Sequence, residues 1–151
     1  MRSKTSNWFE AKIQYEKQMD DGLQKKVTEQ YVVDALSYAE AEKRIIEEMS
    51  AYISGEFEVK DLKKAQYKEV FFEDKDCSET RYYKAKLEFI TIDERTEKEK
   101  RSRVVYLVQA SDLHRAIRNV DEVMGGTMID YEACAIDETK IIDVFERPSK
   151  S

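Results

Sequence analysis

Trp8-Phe9-Glu10-Ala11-Lys12-Ile13-Gln14-Tyr15 returns 74 positions later as Tyr82-Tyr83-Lys84-Ala85-Lys86-Leu87-Glu88-Phe89. Tyr31-Val32-Val33-Asp34-Ala35 returns as Tyr106-Leu107-Val108-Gln109-Ala110, 75 positions on. Phe57-Glu58 and Val70-Phe71 return as Tyr131-Glu132 and Val144-Phe145, both at an offset of 74. A register that drifts by a single residue through successive segments is the mark of an internal duplication. Within the quoted stretch Phe9, Ala11, Ile13 and Tyr15 alternate with Glu10, Lys12 and Gln14. Successive side chains of a strand point to opposite faces, so this stretch and its copy are predicted strands with one core face and one charged face.

Each copy reads outward from that strand in the same order. A polar loop follows, Asp20-Asp21-Gly22 in the first copy and Asp93-Glu94-Arg95 in the second. Second strands are then expected at about 25–35 and 100–110, closing a hairpin in each copy. Ser37 and Glu40 have the spacing of a helix capping box, and Ala41, Ile45 and Met49 recur every four residues behind it. In the second copy Ser111 is the expected cap, Leu113, Ala116, Val120 and Met124 form the stripe, and Gly125-Gly126 ends the helix in a left-handed turn. Two short strands close each copy, at about 56–60 and 67–72, then 130–135 and 140–145.

The predicted fold is therefore α+β: a tandem duplication of a ββαββ unit, with antiparallel sheets each packed by one helix and the halves related by a pseudo-twofold axis. The expected organisation is a flexible N-terminus over residues 1–7, a first repeat over 8–72, a linker over 73–80, a second repeat over 81–147 and a frayed tail over 148–151.

Composition narrows the chemistry. The 151 residues carry a net charge of −6, and 38% of them are charged. Proteins that coat a phosphate backbone are usually basic, so nucleic acid is not the expected partner. Four glycines and one proline leave little material for glycine-built phosphate cradles. No apolar run approaches the ~20 residues of a membrane span, and Met1–Asn7 is polar, so a cytoplasmic protein is expected. Cys77 and Cys134 lack zinc or redox spacing and read as reduced thiols. His114 is the single histidine, so a Ser–His–Asp or Cys–His arrangement would rest on it alone, and no nucleophile elbow surrounds any serine. Glu47-Glu48, Asp20-Asp21 and Asp137-Glu138 read as solvated faces and turns. No catalytic residues, metal ligands or cofactor are predicted.

Recognition remains. Trp8 and Tyr82 are equivalent, as are Lys12 with Lys86, Lys26 with Lys100, and Tyr31 with Tyr106, while Arg101 and Arg103 add positive charge to the second copy. An aromatic ring beside a lysine can stack on a base while the ammonium meets a phosphate. Trp8, Lys12, Lys26, Tyr31, Tyr82, Lys86, Arg101, Arg103 and Tyr106 are the candidate ligand-binding residues. The alternative is that the same aromatics form a protein interface, including that of a homodimer.

The segments Trp8–Ile13, Lys25–Glu29, Tyr52–Val59 and Thr139–Phe145 resemble a family of uncharacterised small proteins of Bacteroides-type bacteria and their phages, over nearly the whole chain. That resemblance names no activity. A phage origin implies an inhibitor of host defence: a signal sponge, usually a compact oligomer, that sequesters a small nucleotide-type signal such as the ADP-ribose derivatives made by TIR-domain enzymes of the Thoeris type. A protein-docking adaptor is the second reading and a metal-dependent hydrolase the third.

Overall fold

A computed structural model describes residues 1–73 and 80–147. The expected linker 73–80, apart from its two ends, lies outside the described residues, as do Cys77 and the tail 148–151. The elements run β1 (Arg2–Lys4), β2 (Trp8–Gln18), β3 (Gln24–Asp34), α1 (Tyr38–Tyr52), β4 (Phe57–Lys64), β5 (Glu69–Phe72), β6 (Arg81–Ile92), β7 (Glu99–Ala110), α2 (Leu113–Gly125), β8 (Asp130–Glu138) and β9 (Ile141–Phe145). After β1 the order is ββαββ twice. Residues 1–7 are not wholly irregular: Arg2–Lys4 pairs antiparallel with β5.

Two compact units emerge, and the chain enters each twice. One, the α1 unit, comprises Ser6–Gln66 and the chain from Lys140 onward. Its sheet has the order β4-β2-β3-β9. The other, the α2 unit, comprises Met1–Thr5 with Tyr67–Thr139, and its sheet has the order β1-β5-β7-β6-β8. The last strand of each repeat has thus gone to the sheet of the other repeat. These exchanged strands are also the departure from the antiparallel expectation, since β9 pairs parallel to β3 and β5 parallel to β7.

Chain length explains the exchange. In the α1 unit β4 and β3 are both antiparallel to β2, so β4 runs in the same direction as a strand parallel to β3. Returning from β4 to that slot within one sheet needs a crossover of a dozen or more residues. The chain supplies only 65–68 between β4 and β5, and 139–140 between β8 and β9. Neither last strand can reach the slot in its own sheet.

The charges agree with this outcome. Glu73, just after β5, pairs with Arg115 of α2 at 2.9 Å. At the repeat-equivalent positions Arg147, just after β9, pairs with Glu40 of α1 at 3.1 Å. The polarity is reversed. Pairing within one copy would set Glu73 against Glu40 and Arg147 against Arg115.

In the α1 unit the helix covers one sheet face, where Ile13, Val33, Ile45 and Met49 are fully buried with Phe9, Tyr31 and Phe145. Each large aliphatic side chain so buried contributes about 1.5–3 kcal/mol. The predicted stripe Ala41, Ile45, Met49 is therefore the packed face of α1. Ser37 caps α1 by accepting from the Glu40 backbone N–H at 3.1 Å. Glu40 reaches back to the Leu36 N–H at 3.1 Å, one residue earlier than a standard capping box.

In the α2 unit Val120 and Met124 pack on the sheet with Leu87, Tyr106 and Val108, and Ala116 packs with Tyr83 and Ala110. Three details of the second helix differ from expectation. Asp112, not Ser111, is the N-cap, accepting from the Arg115 N–H at 2.8 Å. Leu113 stays half exposed. Gly126 closes the helix in a right-handed conformation, φ −80°, so its freedom at positive φ is not used. The two units also share a β-bulge: the ladder slips between Lys12 and Ile13 against β4, and between the equivalent Lys86 and Leu87 against β8. An identical irregularity at equivalent sites is structural support for the duplication.

Candidate functional site

Three strands and a helix end build a cavity of about 230 Å³ in the α1 unit. Tyr15 comes from β2, Glu29 and Tyr31 from β3, Tyr52 and Ile53 from the end of α1, and Ile142, Asp143 and Phe145 from β9. Period-two alternation puts Tyr15 at the end of the core-facing row Phe9-Ala11-Ile13, where its ring packs against the edge of the core and lines the hollow beside Tyr52 and Ile53 at the end of α1. The exchanged strand β9 supplies the opposite wall.

The rings are ordered. Tyr31 and Phe145 stack with centroids 5.5 Å apart and an interplanar angle of 18°. Tyr52, largely exposed, lies 6.4 Å from Phe145 at 29°. The Tyr31 hydroxyl donates to Glu29 Oε1 at 3.2 Å. Burial pushes the Tyr31 phenol well above its ordinary range, and the Glu29 carboxylate pushes it further by charge and by hydrogen bond. Tyr15 is raised by the same causes, burial first and then Glu29. Both phenols therefore keep their protons further into the alkaline range than a free tyrosine, and Tyr31 presents its hydroxyl as a donor to the Glu29 carboxylate.

A second, shallower cleft of about 520 Å³ shares Tyr15 and runs along Gln14, Glu16, Gln24, Lys26 and Phe57 to Glu56 and Glu58. Its charge is mixed: one lysine against three carboxylates.

The α2 unit carries a buried polar cluster of a different kind. Glu73, with its side chain 6% exposed, accepts from Arg115 at 2.9 and 3.4 Å and from Asn119 Nδ2 at 2.7 Å. Asn119 Nδ2 also donates to the Gln109 carbonyl, and Gln109 Oε1 accepts from the Glu73 N–H. In the α1 unit the equivalent places hold Asp34, which accepts from the Ser6 hydroxyl and from the Arg147 N–H, and Arg44, which donates to the Asp34 and Glu146 carbonyls. Both clusters tie the tail of an exchanged strand to a helix. That is a structural task, and neither cluster opens into a cavity described above.

A family model described as Domain of unknown function (DUF4494) matches residues 7–147. The chain belongs to this family. The match spans both repeats, so the DUF4494 domain is the duplicated chain and not the half. No curated protein and no solved structure matches it.

The DUF4494 fold separates the residues singled out from the sequence. Trp8, Lys12, Lys26 and Tyr31 belong to the α1 unit; Tyr82, Lys86, Arg101, Arg103 and Tyr106 belong to the α2 unit. Trp8 and Tyr82, the equivalent pair of candidate ligand-binding rings, are 1% and 2% exposed. Neither ring offers a face to a ligand in this conformation. Tyr82 instead receives a hydrogen bond on its hydroxyl from Gln109 at 3.3 Å, while buried Trp8 Nε1 has no partner among the described residues. Lys12 and Lys86 are half-buried on β2 and β6. Arg101 is occupied by Glu88 at 3.1 Å, Glu132 at 2.5 Å and Glu99 at 3.6 Å, and Arg103 is exposed opposite Glu88. Tyr106 is buried against Phe71, centroids 4.9 Å apart. Of the nine, Tyr31 lines the aromatic cavity and Lys26 the adjoining cleft.

Sequence reasoning missed Tyr15, Glu29, Tyr52, Asp143 and Phe145. One signal was available: the places where the two copies disagree. Glu29 stands where the second copy has Val104, and Ile142 where the first has Lys68.

Proposed function

We propose that this DUF4494 protein is a non-catalytic binding protein that holds a small ligand in the aromatic cavity of the α1 unit. The observation that carries this reading is the ordered stack of Tyr31, Phe145 and Tyr52 lining an open hollow together with Tyr15. Aromatic walls with a few convergent polar groups are the common composition of small-molecule sites. At about 230 Å³ the cavity suits a headgroup or a single ring, with the adjoining cleft available to the rest of the molecule. His114 is exposed on α2, in the other unit, and among the described residues no serine, cysteine, lysine or histidine lines the cavity. Among the described residues no three His, Cys, Asp or Glu side chains gather as a metal site would require.

Sequestration of a nucleotide-type signal, in the manner of a phage anti-defence sponge, is the second reading. Lys26 in the larger cleft, beside Tyr15 and Phe57, favours it, because an ammonium near two rings suits a phosphate attached to a base. Glu16, Glu56 and Glu58 oppose it by like charge. The adaptor reading loses its carrier, since Trp8 and Tyr82 are buried.

Native mass spectrometry of the protein purified from its host, followed by release and identification of small molecules, tests binding directly. Intact ligand that returns on mixing, and is lost in Tyr52→Ala, supports the cavity. Retention of a nucleotide that depends on Lys26 and not on Tyr52 supports the second reading. A ligand that leaves chemically changed overturns the non-catalytic assignment.

A further inference from the structure

The duplication lets one unit report on the other. The counterparts of Tyr15, Tyr31, Phe145 and Asp143 in the α2 unit are Phe89, Tyr106, Phe71 and Glu69. There too the rings cluster: Tyr106 lies 4.9 Å from Phe71 and 6.4 Å from Phe89. That cluster holds a cation of its own, since the Lys68 ammonium sits over the Phe89 ring at 5.1 Å. An ammonium within about 6 Å of a ring centroid is attracted to the negative face of the π system.

In the α1 unit the residue equivalent to Lys68 is Ile142, and the equivalent space is the cavity. The lysine of the other unit is replaced by an apolar side chain, and a carboxylate is added. Asp143 retains the carboxylate that Glu69 provides in the other unit, and Glu29 adds a second where the α2 unit has Val104. Among the described residues no lysine or arginine lines this cavity.

We infer that the cavity bounded by Tyr15, Tyr31, Tyr52 and Phe145 takes a small organic cation, an alkylammonium head seated against the rings with Glu29 supplying the counter-charge. This rests on the small-ligand reading above and names its chemistry. Ring faces and carboxylates both attract a diffuse, weakly hydrated positive charge, whereas a phosphate would be repelled by both. The hydrogen bond from the Tyr31 hydroxyl holds the Glu29 carboxylate in place.

The test uses choline and its uncharged carbon isostere 3,3-dimethylbutan-1-ol as probes, titrated into the full-length protein by calorimetry and by chemical-shift mapping. Choline is expected to saturate with shifts at Tyr31, Tyr52 and Ile142. The neutral isostere is expected to bind at least about tenfold more weakly, the factor that roughly 1.4 kcal/mol of cation–π and ionic attraction produces. Two substitutions at exposed positions keep the question separate from folding. Tyr52→Ala removes a ring that is 69% exposed, and Ile142→Lys, at a side chain 47% exposed, installs the lysine of the other unit. Ile142→Lys is expected to abolish choline binding, with an unchanged circular dichroism spectrum and unfolding midpoint. Equal affinity for choline and the isostere overturns the cation assignment and leaves the small-ligand cavity standing. Binding of ADP at Tyr52 with no binding of choline also overturns it. Choline shifts confined to other residues, or binding unaffected by both substitutions, overturns the cavity itself.

Discussion

Removing Arg115 will destabilise the protein more than removing Glu73, its partner in the same ion pair. Glu73 is 6% exposed and Arg115 33% exposed. Truncating Arg115 to alanine takes two charged hydrogen bonds, at 2.9 and 3.4 Å, from a carboxylate that water scarcely reaches, leaving the Asn119 amide at 2.7 Å. Breaking a fully buried pair from one side costs about 3–5 kcal/mol. With the guanidinium one-third exposed and Asn119 retained, ~2–3 kcal/mol is the expected cost of Arg115→Ala. Truncating Glu73 leaves a guanidinium that rehydrates and an Asn119 that still donates to the Gln109 carbonyl, so the expected cost is about 1 kcal/mol. The equivalent pair, Arg147 with Glu40, is 36% and 28% exposed, and Arg147→Ala should cost no more than about 1 kcal/mol. Urea unfolding followed by circular dichroism measures all three. At a slope of about 2 kcal/mol per molar, Arg115→Ala shifts the midpoint by roughly 1 M. A larger loss for Glu73→Ala than for Arg115→Ala would refute the reasoning, because it would mean the cost does not follow the more deeply buried charge.

Three further outcomes are expected of the same fold. Trp8 is 1% exposed, so its fluorescence should be blue-shifted, resistant to iodide, and red-shifted on unfolding; strong iodide quenching of the folded protein would contradict its burial. Tyr31 keeps its proton in the folded state to a higher pH than in the unfolded chain, first through burial and then through Glu29. The unfolded chain therefore releases that proton first as pH passes 10, and stability falls with rising pH by up to about 1.4 kcal/mol per unit for this group. Urea midpoints between pH 8 and 11 should fall less steeply in Tyr31→Phe, and parallel curves would dismiss the effect. Asp112→Ala should cost about 1 kcal/mol as the true cap of α2, and Ser111→Ala clearly less; the reverse order would restore the serine.

Local rules made the elements legible. Alternation in Phe9-Ala11-Ile13-Tyr15 and its copy marked β2 and β6, and the spacing of Ala41, Ile45 and Met49 marked α1 with its buried face. These patterns survive in one dimension because a strand or helix repeats over two or four residues. The cap of α2 was misread by one residue, since Ser111 and Asp112 are both good capping types and only backbone geometry chooses between them.

The candidate site was barely legible. Tyr31 was found because aromatic repeats draw attention, but its neighbours Tyr15, Tyr52 and Phe145 looked like ordinary core or surface residues. Trp8 and Tyr82 were misplaced because alternation tells which side of a strand a residue faces and not whether that side is covered.

By itself the sequence determined that the chain is a doubled ββαββ module, because the same short-range periodicities occur twice in one register. Only the tertiary structure decided which sheet each final strand joins. That choice depends on strand direction and on connections of four and two residues, 65–68 and 139–140, that cannot make a crossover. The exchange in turn brings β9 beside β3 and sets Phe145 against Tyr31, so the cavity exists only through a contact between residues more than a hundred positions apart.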